Sequence, residues 1–520
     1  MMMNTVLWCD DEIELLKPQI LFLEDKGYRI IPVSNGLDAL EKAREEPLDV
    51  VFLDEQMPGL SGLETLSRIK ALRPHLPVVM ITKNEEENIM EEAIGSQITD
   101  YLIKPVKSNQ ILLTLKKILD NKRLVSEKTS SSYQQEFQQI FASFNNNPNH
   151  EEWLEIYQKL LFWEMELDKS NTENMREVLT LQKKEANKEF CKYVSRHYLH
   201  WIKHPEEAPV MSHTLLRFKV LPFVQPEVPT FLVLMDNLRF DQWKMIEPIL
   251  SEHFRINSED AFYSILPTST QYSRNAIFSG LLPTEIQKRF PDKWILDEEE
   301  GGKNLHEYFF LQDQLSRLKK NFKTSYIKIT NLNDGRNLVS NMNNLMQNNL
   351  NVIVYNFVDM LSHARTEMDV LKELAPDEHA YREITRTWFS NSPLFEALRK
   401  LADKKVNIII TTDHGSIRVK EPVKVVGDRD TTTNLRYKHG RNLSYNPKEV
   451  FDVRKPEEAM LPKPHMTSAY IFAREDDFFV YPNNYNYHVN LYRNTFQHGG
   501  MSLEEMICPV IRLVSKSDSH

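Results

Sequence analysis

The stretch Ile408-Ile-Ile-Thr-Thr-Asp-His-Gly-Ser416 constrains this chain more than any other. A β-branched run without polar alternation is a strand buried on both faces, as in parallel sheets covered by helices. It stops on Asp413 and His414, two residues of metal-ligand type, followed by a glycine. In open α/β sheets ligands bind beyond the carboxyl ends of the strands, so a strand that ends this way predicts a site. An Asp-His-Gly turn alone is weak evidence. Its weight comes from other apolar runs, far away in the sequence, that also stop on acids: Thr5–Cys9 before Asp10-Asp11, Leu48–Leu53 before Asp54, and Thr230–Met235 before Asp236.

With 520 residues the chain has room for two to four domains. A net charge of −10 argues against bulk nucleic-acid binding, which needs a basic face, but leaves room for a local phosphate pocket. Cys9, Cys191 and Cys508 are far apart and form no C-x-x-C pair, which suits a reducing cytosol. Met1–Leu16 carries Asp10, Asp11, Glu12 and Glu14, unlike a signal peptide. No apolar run approaches the ~20 residues that span a bilayer. A soluble, cytoplasmic protein without membrane insertion is expected. Of 14 glycines, five lie from Gly27 to Gly95 and nine from Gly280 onward. The glycine-free middle predicts a helical block between two α/β domains.

In the first 122 residues five apolar runs (Thr5–Cys9, Tyr28–Val33, Leu48–Leu53, Leu76–Ile81, Asp100–Ile103) alternate with helical patterns such as Leu37–Ala43 and Gly62–Leu72. That predicts a doubly wound parallel sheet. At its carboxyl edge Asp10, Asp11 and Asp54 would converge with Thr82 and Lys104, and three carboxylates suit Mg²⁺. The acidic pair, Asp54-x-x-Met57-Pro58-x-x-x-Gly62, Thr82 and Lys104-Pro105 together resemble the receiver domain of two-component response regulators. The resemblance implies a flavodoxin-like fold, Mg²⁺ held by Asp10, Asp11 and Asp54, phosphorylation on Asp54, and Thr82, Tyr101 and Lys104 as the switch residues.

From His150 to His204 there is neither Pro nor Gly. Trp153, Ile156, Tyr157, Leu160, Leu161 and Leu167, then Phe190, Val194, His197 and Trp201, mostly keep helical i, i+3, i+4, i+7 spacing. Residues 123–215 therefore read as a helical-bundle connector. His197, His200 and His204 have metal-like spacing but no Cys or carboxylate placed beside them, and read as surface or core histidines.

Residues 216–520 open a new α/β pattern. Ser264-Ile-Leu-Pro-Thr-Ser-Thr270 is a proline turn entering a helix that runs to Gly280, and a hydroxyl at a helix N-terminus faces backbone N–H groups that favour an anion. A strand over Asn351–Phe357 precedes Asp359 and His363, an i, i+4 pair that shares one face if helical. Phe496-Gln-His498-Gly-Gly follows far downstream. Three Asp, three His and one Thr are about enough for two zinc ions. The order Asp…Thr…Asp-x-x-x-His…Asp-His…His resembles the alkaline phosphatase superfamily, and His498-Gly-Gly-x-Ser-x-Glu-Glu-Met resembles its PglZ-type branch. The resemblance implies one zinc on Asp236, Thr270, Asp413 and His414, a second on Asp359, His363 and His498, and Thr270 as nucleophile. Zinc coordination would supply the activation that a threonine hydroxyl lacks near pH 7. Ser362 stands where relatives often have Gly, and no Cys-x-Pro-x-Arg of a sulfatase is present. Arg436, Tyr437, Lys438 and Arg441 read equally as a phosphate- and base-holding cluster or as a solvated basic loop. The segment up to Lys463 reads as a substrate lid.

The order of receiver, connector and PglZ-like hydrolase resembles the PorX-type response regulators of Bacteroidetes. It implies control of type IX secretion and gliding, a sensor histidine kinase upstream, an extracytoplasmic-function sigma factor as partner, and a homodimer on phosphorylation. The function expected is a phosphorylation-regulated, zinc-dependent phosphodiesterase acting on cyclic or linear oligonucleotides. The alternatives are a non-catalytic, phosphorylation-dependent binding module and a zinc phosphomonoesterase.

Overall fold

The computed structural model describes residues 4–516 apart from 75, 84–97, 170–172, 297–301, 357–376 and 429–430, and omits the side chains of 117, 120–130 and 145. The chain divides into two compact units, one up to Gln134 and one built from Gln135–Lys169 and Glu173 onward. Among the described residues no helix is long and apolar enough to cross a membrane.

In the first unit, β1 (Thr5–Cys9), β2 (Arg29–Val33), β3 (Val50–Asp54), β4 (Val78–Thr82) and β5 (Asp100–Ile103) form a parallel sheet in the order β2-β1-β3-β4-β5. Successive side chains of a strand point to opposite faces. Leu7, Cys9, Val51, Leu53, Val78 and Met80 thus pack with the helices Gly36–Glu45 and Gly62–Leu72. Val6, Trp8, Val50, Phe52, Val79 and Ile81 pack on the other face with Lys17–Asp25 and the start of Ser108–Asn145. Both faces are covered, which is why these strands read as unbroken apolar runs. Ser61 and Glu64 form a reciprocal capping box at the start of Gly62–Leu72.

The second unit is built on a six-stranded sheet ordered β7-β18-β10-β6-β9-β8. β6 (Thr230–Met235), β8 (Thr324–Ile329), β9 (Leu350–Tyr355) and β10 (Asn407–Thr411) are parallel. β7 (Phe254–Tyr263) and β18 (Ile507–Ser515) add two antiparallel strands. In register, Thr411 of β10 lies beside Leu234 of β6, so the two chains leave the sheet side by side, one into Asp236 and the other into Asp413. Five of the shorter strands lie outside this sheet: β12 (Glu421–Lys424) pairs with β16 (Asp477–Val480), while β13 (Tyr437–Gly440), β15 (Ala469–Ala473) and β14 (Val450–Val453) form a third sheet. The remaining pair is β11 (Ile417–Arg418) with β17 (Phe496–Gln497).

The expected helices of the middle segment are His150–Lys169 and Glu173–Lys203, and they pack as part of the second unit. Trp153 meets Phe190 edge-on, and Tyr263 Oη donates to the His150 carbonyl at 2.8 Å. Asn187 Nδ2 donates to Glu504 Oε2 at 2.9 Å while Asn187 Oδ1 accepts from Leu503 N at 2.8 Å. The expected boundary between residues 122 and 123 falls inside the single helix Ser108–Asn145. His197 and His200 are exposed, and His200 Nε2 engages Glu207 at 2.7 Å.

Arg382 joins the helix His150–Lys169 to the rest of the unit: it is 2 % exposed and its guanidinium meets Asp168 Oδ2 at 2.5 Å, Glu164 Oε1 at 3.1 Å and Asp241 Oδ2 at 3.2 Å. Without this cation the three carboxylates keep only their other partners, Lys183 for Glu164, Arg239 for Asp241 and Arg176 for Asp168, in a largely desolvated place, a loss of about 1–3 kcal/mol. Arg382→Met is therefore expected to lower the urea midpoint of the second unit by that equivalent. An unchanged midpoint contradicts the packing described.

Candidate active site

Among the described residues two clusters with acids that could share an ion stand at carboxyl strand ends, one in each unit. In the first, β1 delivers Asp10 and Asp11, β3 ends on Asp54, β4 on Thr82, and Lys104 follows β5. One oxygen from each of Asp10, Asp11 and Asp54 lies within 4.8 Å of the others, with Asp10 and Asp54 buried and Asp11 exposed. Lys104 Nζ bridges Asp10 Oδ2 at 2.9 Å and Asp54 Oδ1 at 3.0 Å. Burial pushes the Asp54 carboxyl up to about 6, opposed by the Lys104 hydrogen bond and reinforced by the charge of Asp10. Two of the three carboxylates share one ammonium, and an all-oxygen set short of positive charge fits Mg²⁺. A Cβ on Gly62 would stand 2.2 Å from the Asp54 carbonyl oxygen, so only glycine lets this helix start so close to the strand end. The Thr82 hydroxyl donates to the Glu55 carboxylate, a partner the sequence did not suggest. The Tyr101 ring is exposed.

In the second cluster, β6 delivers Asp236, β10 delivers Asp413 and His414, and the helix Thr270–Ser279 begins on Thr270. Ligand atoms of Asp236, Asp413 and His414 lie within 4.8 Å of one another and all three residues are buried. Thr270 Oγ1 is 3.3 Å from Asp236 Oδ1 and 3.2 Å from His414 Nε2. The turn after β6 is locked to β10: Asn237, at φ +63°, donates its N–H to Asp413 Oδ1 at 3.2 Å, and Leu238 N donates to Thr412 Oγ1 at 3.0 Å. A Cβ on Gly415 would meet the Glu504 carbonyl oxygen at 1.9 Å, which explains the glycine after the Asp-His pair.

The imidazoles of His414 and His498 each have one ring nitrogen held by a backbone carbonyl. His414 Nδ1 lies 3.0 Å from the Gly415 carbonyl and His498 Nδ1 lies 3.2 Å from the Thr268 carbonyl. A carbonyl only accepts, so each Nδ1 carries the proton and each Nε2 presents its lone pair, the tautomer a ligand needs. The two rings stack with centroids 4.3 Å apart. Two carboxylates, an imidazole nitrogen and an adjoining hydroxyl match the donor chemistry of zinc. Asp359 and His363 lie outside the described residues.

Sequence reasoning missed Arg274 and Glu307. Arg274 is fully buried; its Nη1 donates to Asp236 Oδ2 at 2.7 Å and its Nε donates to the Glu307 carboxylate. The signal for Arg274 was its position four residues after Thr270, on the same helical face; Glu307 had none. The basic cluster is placed differently from the solvated loop that was one expectation. Tyr437–Gly440 is a buried strand, β13. Arg436 is fully buried, its Nη2 2.6 Å from Glu505 Oε2, so its charge is already matched inside the fold. Lys438 Nζ donates to the Thr432 carbonyl at 2.8 Å and lies over the Tyr481 ring, and burial pushes its ammonium down to about 8. Tyr437 packs edge-on to Tyr272, two residues from Thr270, and Arg441 is partly exposed just after the strand. In the expected lid, Val450–Val453 is instead strand β14, paired with β15.

Three family models match in sequence order: a response regulator receiver domain over residues 6–116, a PorX response regulator linker domain over 123–202, and the BREX system PglZ alkaline phosphatase-like domain over 215–513. The transcriptional regulatory protein ZraR of Klebsiella oxytoca is 39% identical over 119 residues, covering 23% of this chain and 27% of that protein. The alkaline phosphatase synthesis transcriptional regulatory protein PhoP of Bacillus subtilis is 27% identical over 154 residues, covering 29% of this chain and 63% of that protein. The chain thus spans under a third of the length of the ZraR proteins it matches, 27% in Klebsiella oxytoca and 31% in Escherichia coli. Among solved structures, chemotaxis protein CheY4 of Vibrio cholerae is 28% identical, with 22% of this chain and 99% of that chain covered and a TM-score of 0.22. With receiver, linker and hydrolase-like segments each matched in place, the chain belongs to the PglZ alkaline phosphatase-like family, in the PorX-type response-regulator architecture.

Proposed function

We propose that this chain is a response regulator phosphorylated on Asp54 whose output domain is a zinc-dependent phosphodiesterase acting on nucleotides, cyclic or linear. The observation that carries the catalytic half is the place of Thr270: a hydroxyl at the first position of a helix, within 3.3 Å of Asp236 and 3.2 Å of His414. Asp236, Asp413 and His414 would hold one zinc with Thr270, and His498 would belong to a second with Asp359 and His363. Bound zinc would lower the pKa of a coordinated hydroxyl and stabilise charge developing on phosphoryl oxygens. Thr270 Oγ forms a bond to phosphorus as the bond to the leaving oxygen breaks, and that oxygen takes the proton. Water then cleaves the phosphothreonine and restores the hydroxyl. The N-terminal turn of the helix turns its backbone N–H groups toward the phosphoryl charge.

The regulatory half rests on the architecture and on the acidic edge of the first unit. Asp54 accepts a phosphoryl group; Asp10, Asp11 and Asp54 would hold the Mg²⁺ that shields its charge. Lys104 then pairs with the phosphoryl oxygens, and Thr82 exchanges Glu55 for them. Homodimerisation, a sensor histidine kinase as donor, and control of type IX secretion through an extracytoplasmic-function sigma factor complete the proposal.

Thr270→Ala is expected to cut bis-p-nitrophenyl phosphate hydrolysis by at least ~10³-fold while zinc content and the thermal transition stay as in the wild type. Turnover equal to the wild type would remove the enzyme reading in favour of a binding module, and faster turnover of p-nitrophenyl phosphate than of the diester would make it a monoesterase. In the receiver, acetyl phosphate with Mg²⁺ is expected to label the wild type and not Asp54→Ala. Beryllofluoride should convert monomer to dimer in light scattering; label on both proteins, or no change in mass, contradicts the regulatory half.

A further inference from the structure

Arg274 is a buried cation that the reaction as written does not use. It sits one helical turn below Thr270, so both side chains leave the same face of Thr270–Ser279. Its Nη1 is 2.7 Å from Asp236 Oδ2, 3.5 Å from Asn356 Oδ1 and 4.0 Å from Asp413 Oδ2. From behind, Nε is fixed by Glu307, itself 1 % exposed. Glu307 is in turn held by the Tyr326 hydroxyl and by Lys328 Nζ at 3.4 Å. A guanidinium pinned on both sides by carboxylates and only 1 % exposed has one available orientation.

The consequence falls on Asp236. Its two oxygens are committed in different directions: Oδ2 to Arg274, and Oδ1 toward Thr270 Oγ1 at 3.3 Å and His414 Nε2 at 3.8 Å. A carboxylate with both oxygens turned to a metal chelates it and fills two positions. One whose second oxygen is already hydrogen-bonded offers a single donor atom and leaves a position open. We infer that Arg274, backed by Glu307, is a positioning residue that keeps Asp236 a one-oxygen ligand, so that the place beside it stays open for Thr270 and the phosphoryl group. This rests on the metal-dependent reading of the same site.

The test uses the full-length protein stripped of metal and reloaded with Co²⁺, whose visible absorption weakens as its coordination number rises. Arg274→Met is expected to keep its bound Co²⁺ but show a weaker visible band. Diester kcat should fall about 10–100-fold, the usual size of an outer-sphere loss, with KM little changed, and Arg274→Lys should recover part of both. A role confined to holding the fold predicts metal and thermal stability lost together, with no recovery by lysine. If Arg274→Met does not fold, Glu307→Gln decides: the same change at smaller size supports the inference, and a wild-type spectrum with wild-type kcat overturns it. Wild-type spectrum and kcat in Arg274→Met overturn it directly. A wild type that binds Co²⁺ but hydrolyses no diester sinks the proposed reaction alone, since the spectral shift still decides the role of Arg274; a wild type that binds no Co²⁺ overturns both.

Discussion

Asp236 and Asp413 stand at the ends of two adjacent parallel strands, and both are almost wholly removed from water. Two carboxylates with ligand atoms within 4.8 Å repel each other by about 3–4 kcal/mol at an effective dielectric of 20. Desolvation adds to that cost. A fold that places them so needs positive charge beside them. Arg274 supplies one cation at the far oxygen of Asp236, and the neutral imidazoles of His414 and His498 present lone pairs where a metal would bring the rest. The turn at Asn237 and the close approach at Gly415 follow from holding the two strand ends together.

The first unit meets the same constraint with different chemistry. Its three carboxylates are all oxygen donors, one of them is exposed, and Lys104 gives the cluster a mobile ammonium rather than a fixed guanidinium. A hard, hydrated ion that comes and goes with phosphate suits such a rim. A buried set that mixes oxygen and nitrogen suits a resident zinc. The two clusters suit different ions because they differ in burial and donor type, although both grow from the carboxyl edge of a parallel sheet.

Much of this was legible in the sequence wherever both faces of a strand are buried. β1, β3, β4, β6, β9 and β10 read as largely apolar runs and fall within two residues of where they were expected, and the half-exposed edge strands β2 and β5 were found from shorter apolar stretches. β7 was missed because it lies at the edge of its sheet, is half exposed, and carries polar residues such as Ser258, Glu259 and Asp260. Its partner β18 is interrupted by Pro509, a residue that argues against a central strand. The ligands announced themselves by ending strands. Arg436 misled because the sequence shows a charge and not its partner: Glu505, 69 residues away, neutralises it inside the fold. Glu307 was silent for the same reason, and Arg274 was marked only by its place one turn after Thr270, since a buried ion pair between distant segments has no spacing rule of its own.

The proposed metal site lies at the edge shared by β6 and β10. The direct measurement is an anomalous difference map, collected on either side of the zinc edge, from crystals of the zinc-loaded protein. A peak is expected about 2.0–2.2 Å from an oxygen of Asp236, from an oxygen of Asp413 and from Nε2 of His414. A map from fully loaded protein with its zinc elsewhere, and no density among these three side chains, would contradict it.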